Sequence, residues 1–137
     1  MKYLLDTNVC ISLINGKPAS VRARFDKELG KGSVAYASSI AVFELWYGAS
    51  KSSRREDNAR LLAGFLSGPV SHLAFDEEDA NVSGKIRAVL ETAGTPVSVY
   101  DLLIAGQALR HEMILVTANV REFARIENLE WEDWTKS

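Results

Sequence analysis

The chain of 137 residues contains one cysteine, Cys10, and two histidines, and has no excess of charge of one sign. A single cysteine excludes an internal disulfide and suits a reducing compartment, so a cytoplasmic protein is expected. Two histidines and one cysteine are too few for the usual Cys/His zinc site. No apolar run reaches the roughly 18 residues of a membrane span, so no membrane partner is expected. Met1-Lys2-Tyr3-Leu4-Leu5-Asp6 meets an acid too early for a signal peptide. The chain shows no internal repeat, linker or low-complexity stretch. The composition is 47% hydrophobic and 25% charged, which is ordinary for a globular protein. One domain spanning residues 1–137 is expected, long enough to bury a real core.

A surplus of positive charge is also missing. Sixteen Lys and Arg against eighteen Asp and Glu leave −2, whereas proteins that hold nucleic acid by its phosphates are usually basic. The halves differ. Residues 1–68 carry ten basic and six acidic side chains, or +4, and residues 69–137 carry six and twelve, or −6.

Short apolar runs alternate with helical stretches. Strands are expected at Tyr3-Leu4-Leu5, at 33–37, at 70–75 and at 113–116, with a last edge strand near 129–131. Helices are expected from Thr7 or Asn8 to about Ile14, from Pro18 to about Leu29, and from Ser38 or Ser39 to Gly48. Further helices should follow the polar stretch 50–58, run from an Asp76 cap to about Ala93, and run from an Asp101 cap to about His111. A short one should end near Arg125. Strands separated by helices imply an α/β fold with a mostly parallel sheet covered on both faces. In such sheets ligands bind beyond the carboxyl ends of the strands.

Four segments place polar oxygens where burial is expected. Asp6 directly follows the first strand, either as a helix N-cap or as a metal ligand or general base. Glu44 lies in Ile40-Ala41-Val42-Phe43-Glu44-Leu45-Trp46-Tyr47, where apolar side chains fall on every face. Such a helix is expected to be buried all round, so Glu44 needs a buried Arg or Lys partner or a metal ion. Asp101 opens Leu102-Leu103-Ile104-Ala105, and that helix start is expected inside the protein. Capping and metal binding are compatible there, because a carboxylate has two oxygens. Thr117-Ala118-Asn119 follows the fourth strand, with Glu122 three residues later, which is also a normal helix start. Together these oxygens suit a hard divalent cation, Mg²⁺ or Mn²⁺, and phosphodiester hydrolysis.

At these residues the chain resembles the PIN-domain ribonucleases of the VapC type, the toxin halves of bacterial toxin–antitoxin pairs. The resemblance rests on Leu5-Asp6-Thr7-Asn8, Ser38-Ser39-Ile40 with Glu44-Leu45 and Tyr47-Gly48, Gly94-Thr95-Pro96-Val97, Asp101-Leu102-Leu103-Ile104-Ala105, Leu115-Val116-Thr117, Arg121-Glu122-Phe123 and Trp134. It implies a PIN-like single domain with a five-stranded, mostly parallel sheet. It implies a Mg²⁺- or Mn²⁺-dependent endoribonuclease that cuts structured RNA such as tRNA and so inhibits translation. Asp6 and Asp101 would hold the metal, and Glu44 would bind through water or act as base. Asn119 and Glu122 would complete a second ion site or orient water, with Thr7 and Thr117 supporting the pocket. Ala118 departs from relatives that carry a polar residue there, which bears on a loop hydrogen bond and not on the ligands. The resemblance further implies a homodimer and a VapB antitoxin whose tail covers the pocket and inserts an arginine. Operator DNA would be met only through that antitoxin.

Lys17, Arg22, Arg24, Lys27, Lys51, Arg54, Arg55 and Arg60 are the basic side chains that could meet RNA, or else line solvated helix faces. Tyr3, Phe43, Trp46 and Tyr47 are read as core, dimer or antitoxin contacts, Cys10 as packing, and His72 and His111 as structural. With Asp6, Glu44, Asp101 and Glu122 set aside for a pocket, fourteen acids face sixteen bases, which removes the charge objection to an RNA substrate. A non-catalytic antitoxin-binding subunit and a DNA nuclease remain the alternatives.

Overall fold

A computed structural model of the chain describes residues 1–136. Five strands form one parallel sheet in the order β3-β2-β1-β4-β5: β1 Lys2–Leu5, β2 Val34–Ser38, β3 Ser71–Leu73, β4 Ile114–Val116 and β5 Trp131–Glu132. The helices are α1 Thr7–Asn15, α2 Ala19–Gly30, α3 Ser39–Lys51, α4 Arg55–Leu66, α5 Glu77–Thr92, α6 Val99–Arg110 and α7 Val120–Phe123. The α/β architecture is therefore as expected, and the sheet is parallel throughout.

Strand β1 shows why its sequence is an unbroken apolar run. It is central, and a strand covered on both faces needs no polar alternate positions. Tyr3 and Leu5 join the core on one face, with Val9, Leu13, Val21 and Phe25 of α1 and α2. Leu4 points to the other face, with Leu102, Ile104 and Ala105 of α6 and Leu115 of β4. The chain winds outward from β1 to β2 and β3, then returns to place β4 on the other side of β1. The loops after β1 and β4 thus leave the sheet together at a topological switch point, the place where such sheets open a binding crevice. The Asp6 amide donates to the Val116 carbonyl at 3.1 Å and ties those two strand ends together.

Several elements depart from the sequence reading. Helix α3 continues past Gly48 to Lys51. It is not buried all round: Ala41, Leu45 and Ala49 form a single buried stripe at four-residue spacing, while Phe43, Trp46 and Tyr47 are exposed. Helix α6 starts at Val99 with Ser98 as its cap residue, so Asp101 is its third residue and not its cap. Its first turn lies at the surface, with Val99 and Tyr100 exposed, and burial begins at Leu102. At α1, where Asp6 and Thr7 or Asn8 were all candidate caps, it is Asp6 that caps the helix, as one of its two readings had it. Strand β3 is three residues long, shorter than expected from 70–75.

Two ionic networks brace the scaffold. On α5, Asp76 and Asp79 form a capping box, and Arg110 of α6 pairs with Asp76, Glu78 and Asp79. Gln107 Nε2 also donates to Asp79 Oδ2, at 3.2 Å. A Cβ on Gly106 would lie 2.1 Å from Ser83 Oγ, so only glycine lets α5 and α6 pack this closely. On the other face of the sheet, Tyr3 donates to the buried Glu28, which also pairs with Arg24 and Lys31. Arg24 reaches Glu132 as well and lies over the Trp134 ring.

Candidate active site

Asp6 is 3% exposed, yet its carboxylate is held on one side by the protein alone. As the cap of α1, its Oδ1 accepts from the Val9 amide at 2.8 Å, and the Thr117 hydroxyl lies close enough to lower its pKa. Burial first, and then the negative charges of Asp101 and Glu44, lift its pKa from 3.8 to about 6 against the opposing Thr117 hydroxyl and Val9 amide. Asp101, half-buried on α6, is raised too. Burial is the main cause, with Glu122 and Glu44 adding repulsion and Ser98 and Asn119 opposing it.

The remaining residues close the ring. Glu44 is half-buried and accepts a 2.6 Å bond from the Thr7 hydroxyl on Oε1. Its expected buried Arg or Lys partner is absent among the described residues, because α3 leaves Glu44 at the edge of the mouth and not inside the core. Thr117 Oγ1 accepts from the Asn119 amide at 2.9 Å, which shapes the turn after β4. The Asn119 side-chain amide lies between two carboxylates, 2.8 Å from Glu122 Oε2 and 3.5 Å from Asp101 Oδ2. Glu122 also accepts the Ser98 amide on Oε1. Burial opposes its ionisation, but the bonds from Ser98 and Asn119 prevail and hold its pKa below the usual value.

The structure therefore brings Asp6, Glu44, Asp101, Asn119 and Glu122 to one mouth at the switch point, with Thr7 and Thr117 bonded to them. Among the described residues, no Lys, Arg or His forms an ion pair with any of the four acids. Apart from Arg125, whose charge helps to lower the Glu122 pKa without forming an ion pair, these mutually repelling oxygen donors have no cation nearby among the described residues, which fits a hard divalent ion. No three acidic, His or Cys side chains among the described residues converge as a ready cage. An ion here would take Asp6 and Asp101 and complete its shell with water or phosphate oxygens, a pattern usual for Mg²⁺. Ala118 has no side-chain hydrogen-bonding group, and the turn is held instead by Thr117 and Asn119.

Beside Glu44 runs an apolar groove of about 230 Å³, lined by Ile11, Ile14, Leu45, Ala49, Leu61 and Leu62. Of the basic candidates, Arg24 is committed to Glu28 and Glu132, Arg54 and Arg60 pair with Asp57, Arg22 reaches Asp26, and Lys51 lies over the Tyr47 ring. Tyr3 and Cys10 are buried in the core, whereas His72 is exposed. Ser98 and Arg125, which bond to this region, were missed by the motif reading. The Ser98-x-x-Asp101 spacing, that of a helix cap and its third residue, was the available signal for Ser98.

The PIN domain family matches residues 3–129. The tRNA(fMet)-specific endonuclease VapC of Shigella flexneri is 44% identical over 135 residues, covering 98% of this chain and 99% of that protein. Ribonuclease VapC2 of Rickettsia felis is 40% identical over 136 residues, covering 99% of this chain and 100% of that protein. Among solved structures, VapBC2 of Rickettsia felis bound to a promoter DNA fragment superposes with a TM-score of 0.91 at 38% identity, over 98% of this chain and 99% of that one. DNA-bound VapBC of Salmonella typhimurium gives 0.89 at 42% identity, over 98% of each chain.

Proposed function

The chain belongs to the PIN-domain family and within it to the VapC ribonucleases of VapBC toxin–antitoxin systems, and from that premise we propose that it is a divalent-metal-dependent endoribonuclease. Its substrate is a structured RNA, with initiator tRNA first in line because the Shigella flexneri relative is named for it, and its cleavage inhibits translation. The observation that carries this reading is the coupling of Asp6, Glu44 and Asp101 at one strand edge with no cationic partner among the described residues.

When bound, Mg²⁺ or Mn²⁺ supplies Lewis acidity, which lowers the pKa of a coordinated water and offsets charge on the phosphate. Asp6 and Asp101 hold it. The Val9 amide and the Thr117 hydroxyl fix the Asp6 carboxylate before anything binds, so little reorganisation is left for the reaction. Thr7 occupies Glu44 Oε1 and leaves Oε2 to take a proton from the attacking water. Asn119 donates to both Glu122 and Asp101, so its amide bridges the two carboxylates and offsets part of their repulsion.

The partner is a VapB-type antitoxin. Asp6, Glu44 and Asp101, without an ion-pair partner among the described residues, suit an arginine brought in by that partner, and the groove beside Glu44 suits its apolar side chains. Operator DNA is contacted through the antitoxin, in line with the DNA-bound VapBC complexes. The exposed Phe43, Trp46, Tyr47 and Tyr100 suit a homodimer contact.

The test is cleavage of initiator tRNA by purified, antitoxin-free protein with Mg²⁺ or Mn²⁺, with EDTA, and with the Asp6→Asn chain. Cleavage that needs both the ion and Asp6 is expected. Equal cleavage in EDTA overturns the metal role, and preference for DNA over RNA overturns the substrate.

A further inference from the structure

Among the motifs picked out in the sequence, Gly94-Thr95-Pro96-Val97 has no role in the reading above. It forms the loop from α5 to α6, and α6 carries Asp101. The loop is anchored at several points along its length. At its start, Gly94 adopts φ 76°, and its amide and that of Thr95 bond the carbonyls of Glu91 and Leu90, closing the end of α5. In the middle, Arg125 Nη1 donates to the Pro96 carbonyl at 2.7 Å, and Val97 packs on the core. At its end, the Ser98 amide donates to Glu122.

The Ser98 hydroxyl is the telling group. A serine at a helix cap normally accepts a backbone amide from the first turn. Here it makes no such bond and instead donates to Asp101 Oδ2 at 2.9 Å. The amide of Asn119 approaches the same oxygen. Both donors lie on Oδ2, and neither uses Oδ1. A hydroxyl used this way serves the acids and not the helix cap: it donates to Asp101 and lies close enough to Glu122 to lower that pKa as well.

We propose that Ser98 and Arg125 are positioning residues for Asp101: Ser98 aims its carboxylate, and Arg125 holds the loop that carries Ser98 against the α7 segment. This rests on the nuclease reading. Ser98 and Arg125 are both exposed, so each contact alone is weak, and their effect comes from acting together on five residues of chain.

The test uses the full chain with Ser98→Ala, Ser98→Thr, Arg125→Ala and Arg125→Lys. Two quantities are read: kcat and KM for RNA cleavage with Mn²⁺, and amide hydrogen exchange of residues 95–101 in metal-free protein. Ser98→Ala is expected to lower kcat about ten-fold with KM within about two-fold, and Ser98→Thr, which keeps the hydroxyl, to restore it. Arg125→Ala is expected to lower kcat about five-fold and to speed exchange of residues 95–101 by a similar factor, with Arg125→Lys recovering most of both. A wild-type kcat in Ser98→Ala overturns the role of Ser98. A rise in KM alone in Arg125→Ala, with exchange unchanged, makes Arg125 an RNA contact and overturns the latch. A wild-type chain that leaves RNA intact overturns the nuclease reading itself, whereas the exchange measurement reads the latch independently of cleavage.

Discussion

Asp6 and Asp79 are both almost completely buried aspartates at helix N-termini, at 3% and 0% exposure, and they sit in opposite electrostatic settings. Burial opposes the charge of each. Around Asp79, the Arg110 guanidinium, the Asp76 amide and Gln107 overcome that penalty and hold its pKa below the ordinary value. Around Asp6, two hydrogen bonds do not overcome it, and two further acids make it worse. A carboxylate that the fold has neutralised serves the fold. One left at a strand edge among other acids, with no cation of its own, is held ready for a charge from outside.

The contrast can be broken by experiment. The largest effect is expected from Asp101→Asn, which should lower RNA cleavage at least about 1,000-fold, roughly 4 kcal/mol of transition-state stabilisation, with the melting curve preserved. Cleavage near the wild-type rate would remove Asp101 from the site. Next, Asp79→Ala should cost about 3 kcal/mol of stability in urea melts, because it leaves Arg110 without its most buried partner, while folded molecules still cleave. An Asp79→Ala chain as stable as the wild type would end its structural role.

Asp6 should behave in the reverse sense. Its folded pKa of about 6 lies above the unfolded 3.8, so the folded state favours the protonated form. That contribution is fully present below the unfolded value and is lost as pH rises through about 6. At pH 7 and without metal, Asp6→Asn should therefore stabilise the chain by about 3 kcal/mol, since asparagine caps α1 equally well. Equal stability of the two chains at pH 7 would break the comparison with Asp79. The smallest effect is on the ion itself. Because Asp6 must ionise to ligate, Mn²⁺ affinity measured by calorimetry should fall by up to about ten-fold for each pH unit below about 6. A flat pH profile would remove Asp6 from the ligands.

Much of the fold, and Asp6 of the candidate site, was legible because element boundaries leave local marks. Asp6 after an apolar run, Asn15-Gly16 ending α1 and Asp76 opening α5 are all short-range signals. Less legible was which apolar residues face inward. Helix α3 carries hydrophobic side chains all round, yet Phe43 is 54% and Tyr47 59% exposed, because a single chain does not distinguish residues covered by its own core from residues awaiting a partner. The start of α6 was misplaced because Asp101 ahead of an apolar run looks like a cap, whereas the helix begins two residues earlier, at Val99 and Tyr100 on an uncovered first turn, with Ser98 as its cap.

The sequence by itself determined the alternation of strands and helices, the donor chemistry and the order of the acids along the chain. These follow from residue type and near-neighbour spacing. Only the tertiary structure decided that Asp6 and Thr117, 111 residues apart in the chain, leave adjacent parallel strands at one switch point. It alone decided that Arg24 and Arg110 are committed to structural acids while Asp6, Glu44 and Asp101 have no ion-pair partner among the described residues. Charge pairing acts over a few ångströms in space, and the order of strands in the sheet, not distance along the chain, sets which charges come that close.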